Sequence, residues 1–212
     1  MTTLDCAAAR GMLLACAEKI IESKPLLTEI DSRIGDGDHG IGMAVGMQKA
    51  KDRLEKMEAC SNVYELFQEM GKTMLMSMGG ASGVIFGTMF LGGTKGKEPL
   101  PALGCRDFAG LMADSLEAVR IRGKASAGDK TMVDALEPAV RAMETYGGDD
   151  FVEMLSLAEA AAAEGVEATK NLIAKFGRAK SLMERALGFQ DAGATSVWII
   201  FGAMRAYLAA MS

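Results

Sequence analysis

Apolar side chains recur at helical spacing through most of the chain. Ala, Leu, Met, Glu and Lys fill the long segments, and period-two runs of β-branched or aromatic residues are missing. The pattern predicts an all-α fold. Glycines, prolines and turn residues divide it into about eight helices. The first covers roughly 3–23 and stops before Pro25; an acidic loop follows, and the second helix covers roughly 41–60. Asn62 with Glu65 reads as a capping box opening a third helix that ends at Met78. Gly79-Gly80-Ala81-Ser82-Gly83 breaks the chain ahead of a helix reaching Leu91. After a Gly- and Lys-rich loop the fifth takes Arg106 to Arg120. Asp129 caps a sixth that runs to Tyr146, and Gly147-Gly148 stops it. The seventh spans Asp149 to Lys175 with a break expected at Gly165, and the last spans Ala194 to Ala210. Up-and-down alternation brings four loops to one end: those between helices one and two, three and four, five and six, and seven and eight.

Composition narrows the classes. A chain of 212 residues that is 50% hydrophobic can bury a sizeable core, and the simplest organisation is one domain over 1–212. A net charge of −5 without clustered Lys and Arg argues against a nucleic-acid footprint. Cys6, Cys16, Cys60 and Cys105 form no Cys-x-x-Cys pair, so reduced thiols in the cytoplasm are expected. The longest apolar run, near Val197 to Met204, reads as far short of a bilayer span, and the start of the chain lacks the pattern of a signal peptide; no membrane association is expected.

The unusual chemistry lies in Asp31-Ser-Arg-Ile-Gly-Asp36-Gly-Asp38-His39-Gly40, where three carboxylates and the sole histidine crowd together among glycines. Ionised carboxylates this close repel one another, and a hard divalent cation offsets that repulsion; magnesium, which takes a few carboxylates and keeps several waters, is the first candidate. A solvated acidic turn is the competing reading. Three other motifs fail. Gly35-x-Gly37-x-x-Gly40 matches a dinucleotide fingerprint with no apolar strand before it. An EF-hand beginning at Asp36 lacks its later ligands, and Gly71-Lys72-Thr73 lacks the first glycine of a phosphate loop, which leaves it as helix interior. His39 reads as a polar loop residue supporting the site rather than as a general base. The 17 methionines read as flexible core filler.

The remaining glycine-rich loops suit phosphate, because backbone N–H groups and the positive dipole end collect at helix starts. Lys124, Lys130 and Arg178 add positive charge there. Bland alternatives stand beside this reading: Gly79 to Gly83 as a close helix crossing, Arg178 as a surface cation, Asp191 as an N-cap.

Together these loops resemble the nucleotide-binding L subunit (DhaL or Dak2 domain) of dihydroxyacetone kinases. The resemblance rests on Ile34-Gly-Asp-Gly-Asp-His-Gly40, Gly79-Gly-Ala-Ser-Gly83 with Gly87-Thr88, and Arg122-Gly-Lys with Gly128-Asp-Lys-Thr-Met-Val-Asp-Ala-Leu-Glu-Pro138. It continues in Gly177-Arg-Ala, Glu184-Arg185 and Asp191-Ala-Gly-Ala-Thr-Ser196. It implies an antiparallel barrel of eight helices with ADP or ATP and two magnesium ions at one rim. The family's metal-binding aspartates fall on Asp31, Asp36 and Asp38. Its nucleotide contacts fall on His39, Gly80, Ala81, Ser82, Gly123, Thr131, Met132, Arg178, Asp191 and Gly193, with Arg178 stabilising charge during transfer.

The implied activity is phosphotransfer to an alcohol group of a ketose held by a separate K subunit. The donor is either a phosphohistidine carrier protein of the phosphotransferase system or ATP, and a homodimer is a further option. Departures from the family are Ile41-Gly42, where relatives carry a polar residue, Phe189 and Ala192 near Asp191, and Met183 in place of a glycine. Three alternatives remain: a noncatalytic nucleotide-binding adaptor, the L subunit of an ATP-dependent tetrulose kinase, and part of a fatty-acid kinase, whose chain is much longer.

Overall fold

The computed structural model describes residues 1–58 and 60–211. Among them are nine α-helices: α1 (Cys6–Glu22), α2 (Lys24–Ile34), α3 (His39–Glu55), α4 (Val63–Ser77), α5 (Gly80–Leu91), α6 (Cys105–Gly123), α7 (Val133–Thr145), α8 (Phe151–Thr169) and α9 (Ala192–Met211). Short 3-10 turns cover Gly92–Thr94 and Arg178–Ala186. Eight helices close a ring, because α1 packs on α3, α3 on α4, and so on through α9, which packs back on α1; α2 lies outside against α3 and α9. The expected all-α barrel is borne out.

The ring is filled by side chains. Phe67, Phe108 and Phe151 stack edge to face with centroids 6.2 and 5.8 Å apart, tying α4, α6 and α8 through the centre. Buried methionines, among them Met12, Met43, Met47, Met70, Met74 and Met204, occupy the irregular space between them, as the composition suggested. At one end β1 (Leu4–Asp5) pairs antiparallel with β2 (Ala102–Leu103), and the Val63 amide donates to Leu100 O at 2.8 Å. Asn62 caps α4 as expected, its side chain accepting from the Tyr64 amide. The opposite end is the mouth, where α3, α5, α7 and α9 all begin.

Several boundaries differ from the sequence reading, each for a local reason. Pro25 does end the first helix, but it also opens α2, because proline's missing N–H costs nothing at a helix start; Asp31 therefore sits on a helix rather than in a loop. Asp129 does not cap α7. Thr131 does, with its hydroxyl oxygen accepting from Val133 N at 3.2 Å while Asp134 accepts from Thr131 N at 2.7 Å. The segment expected to run to Lys175 ends at Thr169, where tight turns take over.

Gly165 does not interrupt α8. A Cβ there would lie 2.2 Å from the Asp134 carbonyl oxygen of α7, so the glycine permits the close approach of the two helices. That same carbonyl is the one Pro138, four residues on, has no N–H to satisfy. The apolar run near Val197 is longer than expected. Mostly small neighbours, with Arg205 the one charged residue, extend it to a 20-residue helix, α9, which by length and composition could cross a bilayer, with half of its most apolar window buried inside the bundle.

Candidate active site

α2 ends at Gly35, whose amide bonds back to Asp31 O, and the chain turns through Gly37 at φ +77° before α3 starts at His39. This turn gathers the three carboxylates. Ligand oxygens of Asp31, Asp36 and Asp38 lie within 4.8 Å of one another; Asp36 and Asp38 are exposed. Asp38 is held above the usual carboxylate range by partial desolvation and then by the neighbouring Asp36 and Asp31. Desolvation works the same way on Asp36, but the hydrogen bond from Asp38 and the Arg178 guanidinium hold it lower. The arrangement is that of like charges in need of a cation. A compact set of oxygen donors open to solvent fits a hard divalent ion that keeps waters of its own.

Arg178 lies at the start of the 3-10 segment, after Gly177 at φ +65°. Its Nε stands 2.8 Å from Asp36 Oδ2, and both line an open cleft of about 340 Å³ with Ile34, Gly35, Ser181 and Leu182. The structure thus brings Arg178 to the acidic cluster.

His39 is buried, and burial drops its pKa to about 4, so the ring is neutral near pH 7. Its Nε2 is 2.8 Å from Ser196 Oγ and its Nδ1 3.3 Å from Ser82 Oγ. Ser196 gives its own proton to Ala192 O, which leaves its oxygen to accept from Nε2–H and leaves Nδ1 to accept from Ser82. The His39 amide also donates to Asp31 Oδ2 at 3.3 Å. A neutral histidine therefore braces α3 against α5 and α9 and holds one carboxylate; the expected supporting part suits this geometry better than that of a base.

The other predicted contacts line the same mouth. Gly80, at φ +71°, and Ala81 are exposed at the start of α5 beside half-buried Ser82. Gly123 ends α6 against Ile85 of α5. Thr131 and Met132 open α7, and Gly193 packs on Met132 from the first turn of α9. Asp191 caps α9 through the Ala194 amide at 2.7 Å. Burial raises its pKa to about 6, a shift that the Ala194 amide and Lys130 oppose and that Asp134 and Asp31 increase.

Of the two lysines expected to add charge, one departs from the reading and one keeps to it. Lys130 does not face a phosphate: it is buried and donates to the Thr169 and Phe189 carbonyls, both at 2.6 Å, with burial lowering its pKa. Lys124 caps α6 in the left-handed region at φ +56°, exposed at the rim. Two supporting residues escaped the sequence reading. Asp134 accepts from both Gly128 N and Thr131 N and shapes the loop before α7; the spacing Thr131-x-x-Asp134 was its available signal. Ser196 carried no local signal, since its role exists only once α9 lies beside His39.

A model of the DAK2 domain matches residues 33–206. The chain belongs to the DAK2 domain family. It is 37% identical over 188 residues to the PEP-dependent dihydroxyacetone kinase 1, ADP-binding subunit DhaL, of Listeria innocua, covering 88% of this chain and 89% of that one. It is 36% identical over 201 residues to the L-erythrulose kinase of Pectobacterium atrosepticum, covering 92% of this chain and 34% of that one. Its fold is similar to the crystal structure of the C. freundii dihydroxyacetone kinase in complex with AMP-PNP and Mg2+, with a TM-score of 0.74 and 25% identity over 94% of this chain. The chain spans 34% of that kinase's length. The resemblance to kinase L subunits read from the loops is thereby borne out, and the proteins that carry it are phosphotransferases.

Proposed function

We propose that this DAK2 chain is the nucleotide- and magnesium-binding subunit of a dihydroxyacetone or related small-ketose kinase. It carries a phosphoryl group on ADP/ATP to a ketose held by a separate K subunit. The observation that carries this reading is the carboxylate trio within 4.8 Å, set in a mouth where four helices begin. Asp31, Asp36 and Asp38 would hold magnesium, two ions by the family resemblance. Bound there, magnesium neutralises charge on the polyphosphate.

The protein's own groups do the rest. Backbone amides at Gly80 to Ser82, Met132 and Gly193 offer donors and dipole ends to phosphate oxygens, while the Thr131 amide is held by Asp134 and leaves its side chain to face the mouth. Arg178 is near enough to the cluster to exchange its carboxylate partner for a phosphate oxygen and stabilise charge during transfer. His39 keeps Asp31 in place and moves no proton. Transfer here needs positioning more than a base.

Large apolar side chains ring the mouth: Met76, Ile121, Met183 and Ile41 are 83%, 70%, 63% and 49% exposed. We assign this face to the K subunit; a homodimer through it would close the mouth. The phosphate donor on this reading is a phosphohistidine carrier protein of the phosphotransferase system, with ATP as the alternative, and the setting is the cytoplasm. The whole of 1–212 is taken as one DAK2-type domain, since most buried hydrophobic side chains among the described residues fall in one cluster.

A second reading has one observation in its favour. Gly42 leaves open space where the family resemblance implies a polar side chain, which suits a noncatalytic adaptor or a kinase for another ketose, such as a tetrulose. Native mass spectrometry with magnesium separates these. ADP retained until chelation supports the phosphotransferase-fed kinase, and exchangeable ATP the direct one. Bound nucleotide without transfer to any K subunit supports the adaptor, and no nucleotide at all overturns the kinase reading. Asp36→Ala is expected to abolish magnesium-dependent binding with helix content, read by circular dichroism, unchanged.

A further inference from the structure

At the closed end of the barrel, away from the mouth, two thiols meet. Cys6 is the first residue of α1 and Cys60 lies between α3 and α4, with their Sγ atoms 2.7 Å apart. That separation is longer than a disulfide bond, about 2.05 Å, yet far inside ordinary contact between sulfur atoms. Both partners are held in place. Cys6 follows Leu4 and Asp5, which are fixed by pairing with β2 and by the Asp5 cap on the Ala8 amide. Cys60 donates to Asn62 O at 3.1 Å, and Arg10 holds the same loop through Glu58 O at 2.6 Å. Both thiols are partly exposed, so a small reagent can reach them, whereas Cys16 and Cys105 are buried.

We propose that Cys6 and Cys60 are a redox-active dithiol that closes to an intramolecular disulfide by exchange with a small-molecule disulfide such as oxidised glutathione. One protein thiolate attacks the reagent's S–S bond and expels one thiolate; the second protein sulfur then displaces the other half. The protein loses two hydrogens and two electrons, and the reagent leaves as two thiols. Burial, then the hydrogen bond with Cys60, pushes the Cys6 thiol up to about 12, so attack by Cys6 is slow at neutral pH and faster as the solution turns alkaline. The closed loop contains α1, α2 and α3 with the whole acidic turn, and cross-linking it restricts the unfolded chain. Because the bond forms opposite the mouth, it acts on stability and leaves nucleotide affinity unchanged. The proposal stands independently of the kinase reading.

The test is to treat the purified chain with oxidised glutathione at pH 8, then measure intact mass, a non-reducing peptide map and thermal unfolding. The expected result is the loss of two hydrogens and one linked peptide joining Cys6 to Cys60. Cys16 and Cys105 should remain free to alkylate after unfolding, and the melting temperature should rise by about 5 °C or more, reversed by dithiothreitol. Cys6→Ser and Cys60→Ser should each abolish the rise, and the double variant should melt like the reduced wild type. A glutathione adduct that persists without closure, a cross-link between chains, no oxidation, or closure without a higher melting temperature would each overturn the proposal.

Discussion

Nε of Arg178 stands 2.8 Å from Oδ2 of Asp36, so a guanidinium of the protein's own already answers one of the three clustered carboxylates. Arg178 is 78% exposed, which makes the contact weak and exchangeable. In Arg178→Gln, magnesium measured without nucleotide should bind about twofold to fivefold more tightly, because a competing cation is gone. Phosphoryl transfer with a K subunit should fall by about 10²–10³. Calorimetric magnesium titration beside turnover checks both; weaker magnesium binding would show that Arg178 does not compete.

Met183 sits at φ +52°, ψ −126°, in the middle of the 3-10 segment that carries Arg178, and it is 63% exposed. A side chain there is strained, by about 1–3 kcal/mol, and has little packing to compensate. Met183→Gly is expected to stabilise the protein by about 1 kcal/mol after the glycine's own entropy cost, raising the melting temperature by about 2–4 °C. Differential scanning calorimetry decides it, and a lower melting temperature would mean that the Met183 side chain contributes more than its backbone costs.

Asp191 sets a pH dependence with a definite sign. Its carboxyl has an ordinary value of 3.8 and, chiefly through burial, a folded value of about 6. Between these values the folded state holds a proton that the unfolded state has lost, so this group's contribution to stability falls as pH rises from about 4 to 6. Asp191→Asn keeps a cap for Ala194 but cannot ionise. It should match the wild type below about pH 4 and exceed it above about pH 6, by about 2–3 kcal/mol. Urea unfolding at pH 4 and pH 7 measures the difference; a gap that does not change with pH would refute the assignment.

Lys130 reaches two carbonyls, of Thr169 and Phe189, that stand on either side of the 170–188 segment. Lys130→Met removes the donor to Phe189 O and leaves Thr169 O with the Leu172 amide alone, at 3.2 Å, and is expected to cost about 1–3 kcal/mol of stability. Since the 189–193 segment then keeps the Asp191 amide on Thr169 Oγ1 but loses its hold at Phe189, nucleotide affinity should drop by a few fold up to about tenfold, and Lys130→Arg should not restore it because the larger fork has no room in the buried site. Equilibrium unfolding and a nucleotide titration report the two effects separately.

Much of this was readable in the sequence because it is local. Helix periodicity, the Asn62 cap, the acidic turn and the glycine-rich helix starts all lie within short windows, and the structure gathers them where alternation of the helices placed them. What escaped depends on other segments. Pro25 reads equally as a stop and as a helix start, and only the packing of α2 on α3 and α9 decides between them. The lysine expected at the phosphates turned inward because Thr169 and Phe189 present carbonyls there, and the Ser196 partner of His39 lies 157 residues away along the chain. Strain at Met183 was visible only as a methionine where the family resemblance implies glycine.

The four helices that begin at the mouth have a further consequence. Over its whole surface the molecule is an anion, with a formal charge of −5, and from a distance it should repel a polyphosphate. Salt erases that far field within about 8 Å, whereas amides aimed at a ligand in contact act inside that length. Ionic strength should therefore leave the hold on a docked nucleotide largely intact and alter mainly how fast one arrives. A net charge taken from composition predicts the approach, and the direction in which helices point predicts the grip.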